Sequence, residues 1–189
     1  MLDLRPVFFI LGVLLTTLSG TMLIPALVDL ADGHADWQVF VLSAGLTLFF
    51  SVSLILTTGR KAAQKGMQAR QTFILTTLSW VLIPAFAAMP FRFAGINLTY
   101  IDGFFEAMSG LTTTGSTVIV GLDGLPRGIL LWRQMLHAIG GVGIVVMGLA
   151  ILPFLQVGGM QLFRAESSDK GEKVMPRAAQ LSTAITMIF

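Results

Sequence analysis

Four windows of this chain, residues 7–28, 39–59, 71–91 and 134–163, carry no formally charged side chain. A helix rises about 1.5 Å per residue and a bilayer's hydrocarbon layer is about 30 Å thick, so about 20 such residues suffice to cross it. Charged residues make up 12% of the chain, against about 25% in soluble domains. The windows therefore read as membrane spans rather than as one oversized soluble core. Residues 7–28 outrun the apolar region of a secretory signal and lack a small-residue cleavage site, so they read as an anchor helix. Gly12, Thr16 and Gly20 recur every four residues there. That spacing lets a second helix approach closely, although isolated small residues also occur without a partner.

Loop charge sets the orientation. Arg5 and the segments 60–70 and 164–177 hold every Lys and Arg except Arg92, Arg127 and Arg133. Positive loops stay in the cytoplasm. The N-terminus is therefore expected inside, with residues 93–133 facing outward. The window 134–163 exceeds one span and contains Gly140, Gly141, Gly143, Gly148, Gly158, Gly159 and Pro153. It is expected to kink or tilt against protein. The glycines at 140–143 are expected to allow close packing. Residues 178–189 are apolar but too few to span, so they read as the start of a fifth span that stops at Phe189.

Residues 93–133 join an outgoing span to an incoming one, and "FFEAMSGLTTTGSTVIVGL" lies between. Residues 101–111 read as an amphipathic helix about half a bilayer long. Glycine and β-branched residues then break helical preference, and residues 118–120 read as an extended return. Such a re-entrant backbone survives at membrane depth only when buried in protein or lining a watery cavity. Carbonyl rings replace the hydration shell of K⁺ in channel filters. Gly115 supplies dihedrals that aim carbonyls together, threonine hydroxyls satisfy neighbours or add ligands, and the C-terminal end of the 101–111 helix favours a cation.

"FFEAMSGLTTTGSTVI" resembles the first pore loop of the Trk/Ktr potassium transporters, of the TrkH type, and "WRQMLHAIGGVGIVVMGLAILP" resembles the helix that follows it. The two preceding helices suit that type as well. The resemblance implies an all-α integral membrane fold. It has two N-terminal transmembrane helices (1–59), a cytoplasmic basic loop (60–70) and one helix–pore loop–helix repeat (71–163) of a K⁺-channel-like pore. A cytoplasmic loop (164–177) and the start of a second repeat (178–189) follow. It implies K⁺ as the transported ion, coordinated by the carbonyls of Thr113 and Thr114, with Thr112, Gly115 and Ser116 completing one quarter of a four-part filter. It also implies the bacterial inner membrane, surrounding lipid, a cytosolic nucleotide-binding regulatory subunit and a homodimer of the full-length protein. One filter motif is present where four are needed, so the chain is expected to belong to a longer one.

Other residues carry weaker signals. Glu106, inside the pore helix, reads first as a structural hydrogen-bond partner, with a role at the pore entrance as the alternative. Asp102 suits the start of that helix. Arg133 has three readings: orienting the filter backbone, pairing with Asp123 or Glu106, or snorkelling to the interface. His137 reads as a satisfied polar contact, with proton coupling as the alternative. The chain has no cysteine, hence no disulfide or thiolate chemistry. It shows no paired acids, His cluster or HExxH motif, so no enzyme is expected. It has no glycine-rich nucleotide loop after a strand, hence no organic cofactor, and no basic run suited to nucleic acid. The competing reading is a truncated, non-conducting membrane assembly or regulatory fragment.

Overall fold

The structure is a computed structural model that describes residues 3–59 and 68–151. Six α-helices occupy the described residues: α1 Arg5–Ala31, α2 Trp37–Thr58, α3 Ala69–Ala87, α4 Met89–Phe93, α5 Tyr100–Leu111 and α6 Arg127–Ile151. Three stretches, Arg5–Ala31, Trp37–Thr58 and Ala69–Phe93, are long and apolar enough to cross a membrane. Part of the fourth expected span, Pro153 included, lies outside the described residues, as do the loops at 60–67 and 164–177 and the segment 178–189.

α1 and α2 form a hairpin across the short turn at 32–36. Its interior mixes large apolar side chains, mostly from α1, with small and hydroxyl ones from α2. α2 buries Ser43, Thr47 and Ser51 alongside Phe40 and Ala44, while Leu42, Phe49 and Leu56, seven residues apart, stand exposed. Apolar side chains gain no hydrophobic free energy by leaving lipid for another helix, so small and hydroxyl residues share the packing with the Leu11, Leu15, Leu18 and Met22 side chains of α1. The Thr16 hydroxyl lies 3.0 Å from that of Ser51, and Ser19 donates to the Ala44 carbonyl at 2.8 Å. A β-carbon on Gly12 would come within 2.8 Å of Ile55. Gly20 has open space around it, so the expected small-residue face works at Gly12 and Thr16 and stops before Gly20.

The window 71–91 is not one uninterrupted helix. α3 ends at Ala87 and α4 begins at Met89, because Pro90 has no amide hydrogen for the carbonyl one turn back. α6 starts at Arg127, earlier than the uncharged window 134–163 indicates. Its first turn follows Pro126, and the Gly128 amide donates to Asp29 Oδ1 at 2.7 Å. A side chain on Gly128 would run into that carboxylate. Trp132 fixes the next turn. Its indole donates to the Ala87 carbonyl at 3.0 Å, and its ring meets Phe40 edge-on, 6.3 Å between centroids. α6 is thereby tied to α1, α2 and the end of α3.

α5 is set into this frame from the other side. Thr99 caps it, accepting from the Asp102 amide at 3.2 Å, while Asp102 accepts from the Thr99 amide at 3.0 Å. This reciprocal pairing satisfies donors that a helix start leaves free. Tyr100 donates to the Ala85 carbonyl at 2.8 Å. A β-carbon on Gly103 would stand 3.0 Å from the Ala88 carbonyl, and one on Gly110 2.9 Å from the Leu136 β-carbon. Gly140 presses against the Leu111 backbone so closely that no side chain fits. Glycines on both helices thus seat the C-terminal end of α5 against α6.

Candidate functional site

The segment after α5 is built by what its amides do. Those of Thr112, Thr113 and Thr114 donate back to Met108, Gly110 and Ser109 at 2.8, 2.9 and 3.0 Å, and Gly115 donates to Ser109 at 3.4 Å. The last carbonyls of α5, orphaned in an isolated helix, are taken up by the loop itself. Four successive N–H groups therefore point toward the helix. Thr113 has φ +56° and Gly115 φ +78°, flanking Thr114. Left-handed residues on either side of an ordinary one let successive carbonyls share a side of the chain. Among the described residues only Asn97 and Thr113 are non-glycines with positive φ. A β-branched residue there is a genuine outlier.

The carbonyls divide into two groups. Gly115 O accepts from Arg133 Nη2 at 3.1 Å, and Ser116 O accepts from the Ser109 hydroxyl at 2.6 Å. The carbonyls of Thr112, Thr113 and Thr114 accept from no described residue. The hydroxyls stay local. Thr112 donates to the Met108 carbonyl at 2.8 Å and lies 2.8 Å from the Thr114 hydroxyl. Residues 113–118 are exposed.

A buried strut holds the loop's return. Glu106 Oε1 accepts from the Thr117 hydroxyl and the Val118 amide, each at 2.6 Å. Its Oε2 accepts from Arg133 Nε at 3.1 Å. The glutamate side chain is fully buried and that of Arg133 is 12% exposed. An isolated carboxylate could not persist in such a place, but three donors and an opposite charge make it tolerable. Of the readings open to Arg133, the structure brings it to Glu106 and to the loop backbone at once, and not to Asp123. His137, one turn further along α6, has Nδ1 2.9 Å from the Arg133 carbonyl. The roles of Ser109, Thr117 and the Val118 amide escape sequence reading. The one signal available was Glu106 itself, since a carboxylate inside an apolar helix must be met by donors from somewhere.

Residues 38–189 match the TrkH cation transport protein family. The chain belongs to that family, whose members it resembles along nearly its whole length. It is 42% identical over 193 residues to the Trk system potassium uptake protein TrkH of Escherichia coli K12, an alignment covering 98% of this chain and 38% of that protein. It is 41% identical over 184 residues to the Trk system potassium uptake protein TrkI of Halomonas elongata, covering 97% of this chain and 37% of that one. The crystal structure of the potassium transporter TrkH from Vibrio parahaemolyticus superposes with a TM-score of 0.83 at 34% identity, covering 97% of this chain and 37% of that one. The chain thus spans less than two-fifths of the length of these relatives.

Proposed function

We propose that the chain contributes to K⁺ uptake across the bacterial inner membrane, supplying one of four selectivity-filter loops. The observation that carries this reading is the division of the loop's polar atoms. The amides of residues 112–115 all turn toward α5, and the carbonyls of Thr112, Thr113 and Thr114 are left without a described protein partner. Oxygens presented without competing N–H groups suit a dehydrating cation and repel an anion. On this reading Thr113 and Thr114 coordinate K⁺ and Thr112 extends the row. Gly115 and Ser116 belong to the filter through backbone shape, their own carbonyls being directed to Arg133 and Ser109. Glu106 and Arg133 brace the loop from behind.

The relatives' names support K⁺ as the ion, and the distribution of basic residues supports a cytoplasmic N-terminus. A cytosolic nucleotide-binding regulatory subunit, a homodimer of the full-length protein and the remaining filter loops complete the proposed assembly. The test is uptake by a bacterium lacking its own K⁺ transport systems. The chain is grafted in place of the matching segment of the E. coli relative. Growth at low K⁺ and uptake of Rb⁺ are expected. A graft that reaches the membrane and restores neither refutes the reading.

A further inference from the structure

Three side chains grip successive parts of the returning loop. Arg133 Nη2 donates to the Gly115 carbonyl at 3.1 Å, and the Ser109 hydroxyl donates to the Ser116 carbonyl at 2.6 Å. Glu106 Oε1 accepts from the Thr117 hydroxyl and the Val118 amide, each at 2.6 Å. Arg133 and Glu106 form an ion pair, so neither can be removed without stranding the other. Ser109 is neutral. It lies buried in the last turn of α5, and its hydroxyl is the sole hydrogen-bond partner of Ser116 among the described residues.

The same residue also holds the outgoing side of the loop. Its carbonyl accepts from the Thr114 amide at 3.0 Å and from the Gly115 amide at 3.4 Å. Ser109 thus ties residues 114 and 115 through its main chain and residue 116 through its side chain. Only the second tie can be cut by substitution. With the Gly115 carbonyl taken by Arg133 and the Ser116 carbonyl taken by Ser109, the row of free oxygens stops at Thr114. Discrimination between cations depends on the size of the cage and on the number and field strength of its carbonyls. Releasing Ser116 alters both. It adds an acceptor at the end of the row, and it frees the backbone between Gly115 and Thr117 to close on a smaller ion.

We propose that Ser109 is a positioning residue for ion preference. Its hydroxyl withdraws the Ser116 carbonyl from the ion's path, limits the row to the oxygens of Thr112, Thr113 and Thr114, and so favours K⁺ over Na⁺. The proposal rests on the reading of this loop as a cation filter. Ser109 acts only through the backbone that it holds.

The experiment uses the grafted full-length transporter as wild type, Ser109→Ala, Ser109→Thr and Ser109→Cys. Ser19→Ala is the control, because Ser19 is also a buried serine donating to a helical carbonyl, that of Ala44 at 2.8 Å, but within the α1–α2 hairpin. Two ratios are read: inhibition of Rb⁺ uptake by Na⁺ relative to K⁺, and the rise in melting temperature given by K⁺ relative to Na⁺. In Ser109→Ala the preference for K⁺ is expected to fall about threefold to tenfold, the range that one hydrogen bond's net contribution spans. Ser109→Thr keeps the hydroxyl and is expected to retain the wild-type preference. Ser109→Cys carries a weaker donor and is expected to fall between them, and it takes the place of the alanine variant if that one does not fold. Ser19→Ala is expected to melt earlier with its preference intact. A wild-type preference in Ser109→Ala, or an equal loss in folded Ser109→Thr or in Ser19→Ala, overturns the proposal and leaves the filter reading standing. A wild-type graft that neither takes up Rb⁺ nor is stabilised by K⁺ overturns the filter reading and the proposal with it.

Discussion

Thr113 and Gly115 both adopt positive φ, yet only one of them is the residue type that tolerates it freely. Holding threonine there stores about 1–3 kcal/mol of strain, which the surrounding hydrogen bonds must offset. Those bonds are the amide contacts to Met108, Ser109 and Gly110. At Gly115 the restriction is conformational and not spatial, since the nearest atom to a built β-carbon is 3.9 Å away. Gly115→Ser in the grafted transporter is therefore expected to fold, destabilised by about 1–2 kcal/mol, with an altered K⁺/Na⁺ preference. Competition of Na⁺ against Rb⁺ uptake measures it. Unchanged preference at normal membrane levels counts against the filter assignment. Glycine at position 115 is legible in the sequence as a turn residue. Thr113 is not, because threonine's own preference is for extended backbone, and only the amide contacts force it over.

At the scale of elements, Glu106 and Arg133 join three pieces that are separate in sequence: α5, the returning loop and α6. Removing one charge leaves the other buried and unpaired, which costs about 3–5 kcal/mol, whereas replacing both with apolar groups costs far less. Glu106→Gln and Arg133→Met are each expected to lower thermal stability strongly in detergent, and the double variant is expected to recover part of the loss. A double-mutant cycle reads the coupling, and simple additivity would show that the pair does not act as a unit. α5 itself is visible in the sequence through its amphipathic pattern and the Thr99–Asp102 cap. The start of α6 is not, because a search for uncharged windows stops at Arg133 and so discards two helical turns. Pro126, well placed for entry to a helix, is the local signal of that start. The break at Ala88 was equally available in Pro90, but a break between two helical segments leaves hydropathy unchanged.

Over the whole molecule, three of the four expected spans are plain because charge is excluded from them, and the α1–α2 contact is half plain, at Gly12 but not Gly20. How Asp29 reaches across to Gly128 was not readable, since nothing local to either residue announces a partner about a hundred positions away. Orientation can be tested cleanly because the chain has no cysteine. Single cysteines placed at Gly124 or Asp32 in the cysteine-free chain are expected to react with a membrane-impermeant maleimide in intact cells, and one at Gln68 only after lysis. The reverse pattern would invert the topology. The oxygens offered by Thr112, Thr113 and Thr114 raise a different matter. They are main-chain atoms, and no codon specifies a main-chain atom. Point mutation can turn these oxygens aside or crowd them, but it cannot remove one. Alanine scanning of the threonines will therefore report on hydroxyls and on backbone aim, and will understate the ligands themselves. Altering a single ligand requires editing the peptide bond through chemical ligation: an ester keeps the carbonyl oxygen but makes it a poorer donor of electron density, and a thioamide exchanges it for sulfur.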